Sequence, residues 1–175
     1  MAVVLLPDPS LVVLVGAAGS GKSTLATRHF EPAEVLSSDA FREAIAGDAA
    51  DQSASHAAFK ALHAALERRM RAGRLTVVDA TNLTRESRRS LVTRAAATGI
   101  PAIAIVLDLS PAIVLAQNAA RHDRVVPEDV VRRHLGRVRR IVGDAALDAD
   151  GFERVVTVHD AAEVDALEIQ RVPRP

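Results

Sequence analysis

The chain has 175 residues, of which 49% are hydrophobic and 25% charged, and it contains no cysteine. This length suits one α/β domain, and the lack of thiols excludes disulfides and thiolate zinc sites and favours a cytoplasmic location. The 22 basic and 22 acidic residues cancel, so no extended duplex-binding surface is expected.

The predicted elements alternate between strand and helix along the chain. The first ten residues lack the basic stretch and cleavage site of a secretory signal, and no apolar run approaches the roughly 20 residues of a membrane helix. Short runs of Val, Leu and Ile then alternate with segments of helical period, as in a parallel sheet covered on both faces. Strands are predicted at 11–15, 34–37, 75–79, 102–107 and 154–158. Helices are predicted at 22–29, 39–46, 55–72, 85–98, 111–121, 127–142 and 161–167. The sequence therefore predicts a single doubly wound α/β domain over residues 1–175.

Residues 16–23 match the phosphate-binding motif G-x-x-x-x-G-K-[ST], between a predicted strand and a predicted helix. The small residues let backbone N–H groups wrap a phosphate, Lys22 reaches the β- and γ-phosphates, and the Ser23 hydroxyl ligates Mg²⁺. A chance glycine-rich turn is the alternative, and the strand–loop–helix context argues against it. The sequence predicts binding of ATP, or another nucleoside triphosphate, with Mg²⁺. The predicted nucleotide-binding residues of this loop are Gly16, Gly19, Ser20, Gly21, Lys22, Ser23 and Thr24.

Asp79 ends the third predicted strand, at the same sheet edge as the phosphate loop. A carboxylate there is suited to hold Mg²⁺ or its waters, although a turn or capping aspartate explains the position equally well. Thr81 and Asn82 follow, and either they orient substrate or they form the turn. The sequence alone leaves both alternatives open.

Asp39 and Arg42 stand at the start of the helix that follows the second predicted strand. Three positions apart, they share one helix face at the edge that carries the phosphate loop. A carboxylate there can accept the proton of an attacking hydroxyl, while a guanidinium holds a phosphate of the acceptor. The alternative is an acid favoured by the helix dipole beside an incidental arginine.

A short helical lid is predicted at about 117–127, between the fifth and sixth helices. It carries Gln117, Asn118, Arg121 and Arg124, and arginines in such a lid would neutralise charge on the transferring phosphoryl group. Cationic residues near a helix C-terminus are also common for reasons of capping.

Together these segments resemble the 5′-kinase module of bacterial polynucleotide kinase-phosphatases, which are RNA-repair enzymes of the P-loop phosphotransferase superfamily. The resemblance spans nearly the whole chain. It is carried by GAAGSGKST at 16–24, EVLSSDAFR at 34–42, DQ at 51–52, LTVVDATN at 75–82 and NAARHDR at 118–124. It implies a P-loop kinase fold and transfer of the ATP γ-phosphate to the 5′-OH end of RNA or DNA.

The resemblance also implies roles for individual residues. Asp39 would be the general base, Arg42 would hold the phosphate next to the acceptor 5′-OH, and Gln52 would line the acceptor site. Arg121 would be a lid residue over the β- and γ-phosphates. Arg124 matches the pattern beside it and is also predicted to bind the nucleotide.

The chain departs from that family in two ways. Gln117 stands where the family usually has an arginine, so the clamp on the γ-phosphate is either weaker or rebuilt around Arg121 and Arg124. The family's phosphatase and ligase domains, which would be partners, are absent from this chain. It is expected to be either an excised module or a stand-alone kinase whose acceptor has drifted.

The composition adds expectations about the acceptor. With 2% aromatic residues there is no evident base-stacking platform, so only a few nucleotides of a single-stranded end would be gripped. The alternatives are a kinase for a small molecule or nucleotide sugar, and a nucleotide-dependent regulatory ATPase without acceptor chemistry. His56, His63 and His134 are expected to be ordinary helix residues.

Overall fold

The computed structural model describes residues 3–47, 55–122 and 124–174. Its seven strands are β1 (Val3–Asp8), β2 (Leu11–Gly16), β3 (Val35–Ser37), β4 (Thr76–Asp79), β5 (Ala102–Leu107), β6 (Arg154–Val158) and β7 (Glu168–Pro173). Five of them form a parallel sheet in the order β3-β4-β2-β5-β6, and β1 pairs with β7 in a separate parallel ribbon. The expected five-stranded doubly wound sheet is confirmed.

The described residues form seven α-helices, α1 (Lys22–His29), α2 (Ser38–Ala46), α3 (Ser55–Arg71), α4 (Arg85–Ala96), α5 (Pro111–Ala119), α6 (Glu128–Gly143) and α7 (Ala161–Asp165). Local chemistry sets several of their starts, because the side chains of Ser37, Thr84 and Ser110 accept N-cap hydrogen bonds from backbone N–H groups of α2, α4 and α5. None of the helices within the described residues is long and apolar enough to cross a membrane.

The core lies on both faces of the sheet, because alternate residues of β2 point in opposite directions. Leu11, Val13 and Val15 pack with residues of α3 and α4 on one face, while Val12 and Leu14 pack with residues of α1 and α5 on the other. Residues of α6 contribute to both clusters. Every residue of β2 is buried, which explains its continuous apolar sequence.

The ribbon of β1 and β7 was not predicted. Residues 161–167 were expected to be helical throughout, but α7 ends at Asp165 and the chain turns into β7. The β7 sequence EIQRVP is mostly exposed, and its apolar residues do not alternate with polar ones, so it has no strand pattern of its own. Its pairing partner β1 comes from the opposite end of the chain, and Arg171 of β7 binds Glu34 in a two-pronged ion pair at 2.8 and 2.7 Å.

The segment expected to be a short helical lid has a mixed structure. Helix α5 ends at Ala119 and α6 begins at Glu128, and the residues described between them, 120–122 and 124–127, are not helical. The lid therefore consists of the last turn of α5 and an irregular connection.

Candidate nucleotide and acceptor site

A cavity of about 1170 Å³ opens at the carboxyl edge of the sheet, where ligands bind in open α/β folds. The phosphate loop after β2, the start of α2, the turn after β4, the lid connection and α6 all contribute to its wall. It brings together most of the predicted site residues, namely Gly19, Ser20, Gly21, Lys22, Ser23, Thr24, Asp39, Arg42, Asp79, Gln117, Arg121 and Arg124. Gly16, at the start of the loop, lies behind this wall.

The backbone of the phosphate loop depends on its glycines. Gly19 and Gly21 have φ of +81° and +89°, in the left-handed region that side chains with a Cβ disfavour. A Cβ on Gly19 would also stand 2.8 Å from Cβ of Asn118 in α5. The loop can therefore pack this closely against α5 only with glycine at that position.

The Lys22 side chain is buried against its own loop. Its Nζ donates to the carbonyl oxygens of Gly16 at 3.1 Å and Ala17 at 2.7 Å. Burial lowers the pKa of Lys22 to about 8, with Asp79 opposing that shift and the charge of Arg121 adding to it. An anionic phosphate would supply the countercharge that this ammonium lacks.

Ser23 and Asp79, the two residues predicted to hold Mg²⁺, are in direct contact. The Ser23 hydroxyl donates to Asp79 Oδ2 at 2.6 Å, so both oxygens lie beside the phosphate loop. Within the described residues, no group of three or more His, Asp or Glu side chains is arranged so that it could hold a metal ion. One hydroxyl and one carboxylate fit Mg²⁺, which is commonly bound by few protein oxygens together with substrate phosphates and water.

At the acceptor side, one carboxylate meets two guanidinium groups. Arg42 and Arg124 both pair with Oδ1 of Asp39, Arg124 at 2.9 Å. Arg42 is 6% exposed, and burial and the charge of Arg124 lower its pKa. The sequence assigned Arg124 to the nucleotide, whereas the structure brings it into contact with the candidate base.

The lid connection is held by a buried amide. Asn118 donates from Nδ2 to the Val126 carbonyl at 2.8 Å and accepts at Oδ1 from the Val126 N–H at 3.1 Å. These two bonds close the segment into a loop and fix its ends. Gln117 and Arg121, one turn apart, line the cavity from this side.

Asn82 belongs to the turn after β4 and does not line the cavity. Asn82, predicted to bind substrate, is 3% exposed, donates to the Leu14 carbonyl at 2.7 Å and has φ of +51°. It forms the turn after β4, which was the alternative, and Thr81 lines the cavity instead. The correction has a physical reason, since Asn tolerates the left-handed conformation that this turn requires. Gln52 lies outside the described residues.

The prediction for His134 also needs correction. Expected to be an ordinary helix residue, it lines the cavity from α6, and its Nδ1 accepts the Ala18 N–H of the phosphate loop at 3.4 Å. Burial lowers its pKa, and so do the charges of nearby Lys22, Arg137, Arg133 and Arg124. Val130, one turn before His134 on the same face of α6, also lines the cavity, but no pattern in the sequence indicates that this face meets the phosphate loop.

Solved structures with this fold include proteins of several activities. A gluconokinase from Sinorhizobium meliloti is 19% identical with a TM-score of 0.58, over 91% of this chain and 87% of that chain. A chain of the Pnkp1/Rnl/Hen1 RNA repair complex is 22% identical with a TM-score of 0.66, over 78% of this chain and 46% of that chain. An AvrRxo1-ORF1:-ORF2 structure with ATP is 18% identical with a TM-score of 0.66, over 87% of this chain and 55% of that chain. At these identities the likeness shows the fold.

The family itself is shown by a match over most of the chain. No curated protein matches significantly. A family model described as an AAA domain (AAA_33) matches residues 11–143, which include the phosphate loop, α2 and the lid connection. The chain therefore belongs to this AAA-domain family of P-loop, kinase-like nucleotide-binding proteins.

Proposed function

We propose that this chain is a polynucleotide 5′-hydroxyl kinase that transfers the γ-phosphate of ATP to the 5′-OH end of an RNA or DNA strand. The observation that carries the proposal is the position of Asp39, which shares one cavity with the phosphate loop and pairs there with Arg42 and Arg124. A nucleotide switch needs a phosphate loop but has no use for a carboxylate held between two arginines at an acceptor position.

At the nucleotide end, the loop N–H groups and Lys22 would bind the β- and γ-phosphates, and Arg121 would close over them. Mg²⁺, when bound by Ser23 and Asp79, would neutralise charge on the phosphate oxygens. The Asn118 contacts to Val126 fix the lid connection that carries Arg121 and Arg124. The positively charged groups on this side are therefore held in place before substrate arrives.

At the acceptor end, Asp39 would take the proton of the 5′-OH while the hydroxyl oxygen attacks the γ-phosphorus. The bond from that phosphorus to the bridging oxygen of ADP breaks, and ADP leaves. Arg42, nearly fully buried, would hold the phosphate next to the acceptor hydroxyl. Because both arginines already contact Oδ1, the carboxylate has a fixed orientation, which a general base requires.

The acceptor end of the cavity is suited to an anionic acceptor. Arg42 and Arg124 both line it beside Asp39, and guanidinium groups bind phosphate oxygens in a two-pronged geometry. The low aromatic content favours contact with only the first nucleotides of the strand. The likeness to a chain of an RNA repair complex agrees with this proposal.

A second candidate is a kinase for a small anionic molecule. The likeness to a gluconokinase, of which the match covers 87%, favours this candidate. A carboxylate or phosphate group of the small acceptor would bind Arg42 and Arg124. A nucleotide sugar is such an acceptor too. Both candidates use Asp39 as the base. They differ in the acceptor whose anionic group Arg42 would bind, which is the end of a nucleic acid strand in the first and a small molecule in the second.

The test uses γ-labelled ATP, Mg²⁺ and short 5′-OH DNA and RNA oligonucleotides, with gluconate and a nucleotide sugar as competing acceptors. Label at the 5′ end of an oligonucleotide, lost in Asp39→Asn, is the expected result. Asp144→Asn, at an exposed carboxylate after α6, is the matched control and should transfer label normally. Transfer only to a small molecule would replace the favoured acceptor. ATP hydrolysis that needs no acceptor and survives Asp39→Asn would point to a regulatory ATPase.

A further inference from the structure

His134 reaches the phosphate loop from a helix that the loop motif does not include. Its Nδ1 accepts the Ala18 N–H at 3.4 Å, and Ala18 is the third residue of the motif and lines the cavity. The N–H groups of this loop are the donors that a bound phosphate requires. At 3.4 Å the bond is at the weak end of hydrogen-bond geometry, so a phosphate oxygen can take the donor at little cost.

The imidazole also stands at the end of the cavity where the terminal phosphates would lie. Lys22 Nζ donates to the Ala17 carbonyl at 2.7 Å, and His134 Nδ1 accepts the Ala18 N–H at 3.4 Å, so both side chains contact the peptide unit that joins these two residues. The lysine of this motif reaches the β- and γ-phosphates. His134 is therefore close to the part of a triphosphate that a nucleoside monophosphate lacks.

We propose that His134 is a nucleotide-binding residue that gives up the Ala18 N–H to a phosphate oxygen and then donates a hydrogen bond to the β- or γ-phosphate. It would discriminate nucleoside triphosphates from monophosphates, and it would couple α6 to the presence of the terminal phosphates. This inference rests only on the nucleotide-binding half of the proposed function and is independent of the acceptor.

The charges around His134 support this change of hydrogen-bond partner from the Ala18 N–H to a phosphate. The charges that act on His134 are those of Lys22 on α1, Arg124 on the lid connection and Arg133 and Arg137 on α6, and with burial they lower its pKa. The carboxylates that line the same cavity are Asp39, Asp79 and Asp165. Each of them already binds another residue of the wall. A bound triphosphate would add negative charge and raise the pKa of His134, so nucleotide binding would take up a proton.

The experiment measures dissociation constants of Mg-ATP, ADP and AMP by calorimetry without any acceptor. The full chain is compared with His134→Leu, His134→Gln and the control Arg139→Gln, which removes a charge from an exposed position of the same helix. His134→Leu is expected to weaken ATP binding roughly 10-fold and to leave AMP binding unchanged, as for loss of a hydrogen bond to a charged group. His134→Gln, which keeps an acceptor and a donor, should recover part of the loss, and Arg139→Gln should bind within about twofold of wild type.

A second readout covers the case in which His134→Leu does not fold. The imidazole ¹⁵N resonances of His134 in the wild-type chain are expected to shift on addition of Mg-ATP and not of AMP. The gain in ATP affinity from pH 7 to pH 6 should be larger in the wild type than in His134→Gln, which cannot titrate. Equal losses for all three nucleotides, or unmoved ¹⁵N resonances at saturating ATP, would overturn the proposal. Either result would leave the 5′-kinase assignment standing, because no acceptor is present.

Discussion

Arg124 donates a hydrogen bond to Asp39 Oδ1 at 2.9 Å, although the two residues stand 85 positions apart in the sequence. The contact joins the lid connection to the first turn of α2, and it lies beside the Arg42 pair on the same oxygen. The lid, expected to serve the nucleotide, thereby also orients the candidate base. Because of this bond, a shift of the lid connection would also change the position of the Asp39 carboxylate.

Arg124→Ala should therefore impair acceptor use more than nucleotide binding. We expect the acceptor kcat/KM to fall by roughly 10²-fold, because a charge-assisted bond to the base and a positive charge are lost together. The ATP dissociation constant should change less, and Arg124→Lys should recover only part of the loss since an ammonium lacks the guanidinium fork. Steady-state kinetics with a 5′-OH oligonucleotide, or the acceptor that the transfer assay identifies, and calorimetry with ATP give both values. A variant that lost ATP affinity but kept its acceptor KM would return Arg124 to the nucleotide site.

The Ser23 and Asp79 pair predicts how the reaction depends on Mg²⁺. Ser23→Ala removes a hard oxygen ligand, so the Mg²⁺ concentration for half-maximal activity should rise by roughly 10-fold. Ser23→Thr keeps the hydroxyl and should behave like the wild type, and Asp79→Asn should shift the requirement in the same direction as Ser23→Ala. The measurement is activity against Mg²⁺ at fixed ATP. An unchanged Mg²⁺ curve in both Ser23→Ala and Asp79→Asn would remove the pair from the metal site.

The lowered pKa of Lys22 predicts the pH dependence of ATP binding. With a pKa of about 8, the ammonium is present below pH 8 and is lost above it, so ATP affinity should fall as the pH rises through 8 to 9. A guanidinium stays charged over this range, so Lys22→Arg should bind ATP more weakly at pH 7 yet show a flatter profile. Calorimetric titrations from pH 7 to pH 9.5 separate the two effects. A profile equally steep in Lys22→Arg would assign the titration to another group.

The parts of the molecule that were predictable from sequence are those set by local pattern. A few neighbouring residues determine each of these structures. They are the buried apolar strands β2 and β5, the helix start at Ser110-Pro111 and the glycine-rich phosphate loop. The phosphate loop also contains the residues that bind phosphate, so nucleotide binding could be predicted from the loop sequence alone. The predicted boundaries differ from the observed ones by at most two residues, and the two-residue differences all lie at helix ends.

The unpredicted parts all depend on contacts between distant segments. Strand β7 forms because β1 comes alongside it, and Arg124 contacts Asp39 because α2 and the lid meet at one sheet edge. His134 faces the loop rather than solvent because α6 crosses above it. Sequence spacing places residues on a face of a helix, but which element that face meets is decided by tertiary packing.

The close approach of Gly19 to α5 predicts an asymmetry between two glycine substitutions. Gly19 and Gly99 have similar positive φ, +81° and +69°, but a Cβ on Gly99 would meet nothing within 4 Å. Gly99→Ala should cost about 1 kcal/mol of backbone strain, whereas Gly19→Ala adds an overpacking cost of roughly 1–3 kcal/mol against Asn118 and Val114. It should also abolish ATP binding, because the loop must shift. Thermal unfolding and ATP calorimetry on the two variants provide the comparison, and equal stability losses would show that the loop can move away from α5 freely.

The ion pair between Arg88 and Asp150 predicts which charges support the fold beneath the site. Arg88 Nε lies 2.7 Å from Asp150 Oδ2 with both side chains almost fully buried, and Arg88 also donates to the Asn82 carbonyl at 3.2 Å. The pair thus holds the turn that follows Asp79. Arg88→Met leaves a buried carboxylate without its main partner and should lower the free energy of unfolding by about 3–5 kcal/mol.

The exposed pair of Arg132 and Glu128 on α6 is the matched control, with side chains 59% and 64% exposed. Its loss in Arg132→Met should cost no more than about 1 kcal/mol, because solvent screens the charges. The double variant Arg88→Met/Asp150→Leu should regain part of the stability, since no unpaired charge is then buried. Denaturant unfolding of the four proteins measures these differences. If Arg88→Met were no more destabilising than Arg132→Met, the buried pair would not be what holds the Asn82 turn, and the position of Asp79 would have to depend on the β-sheet alone.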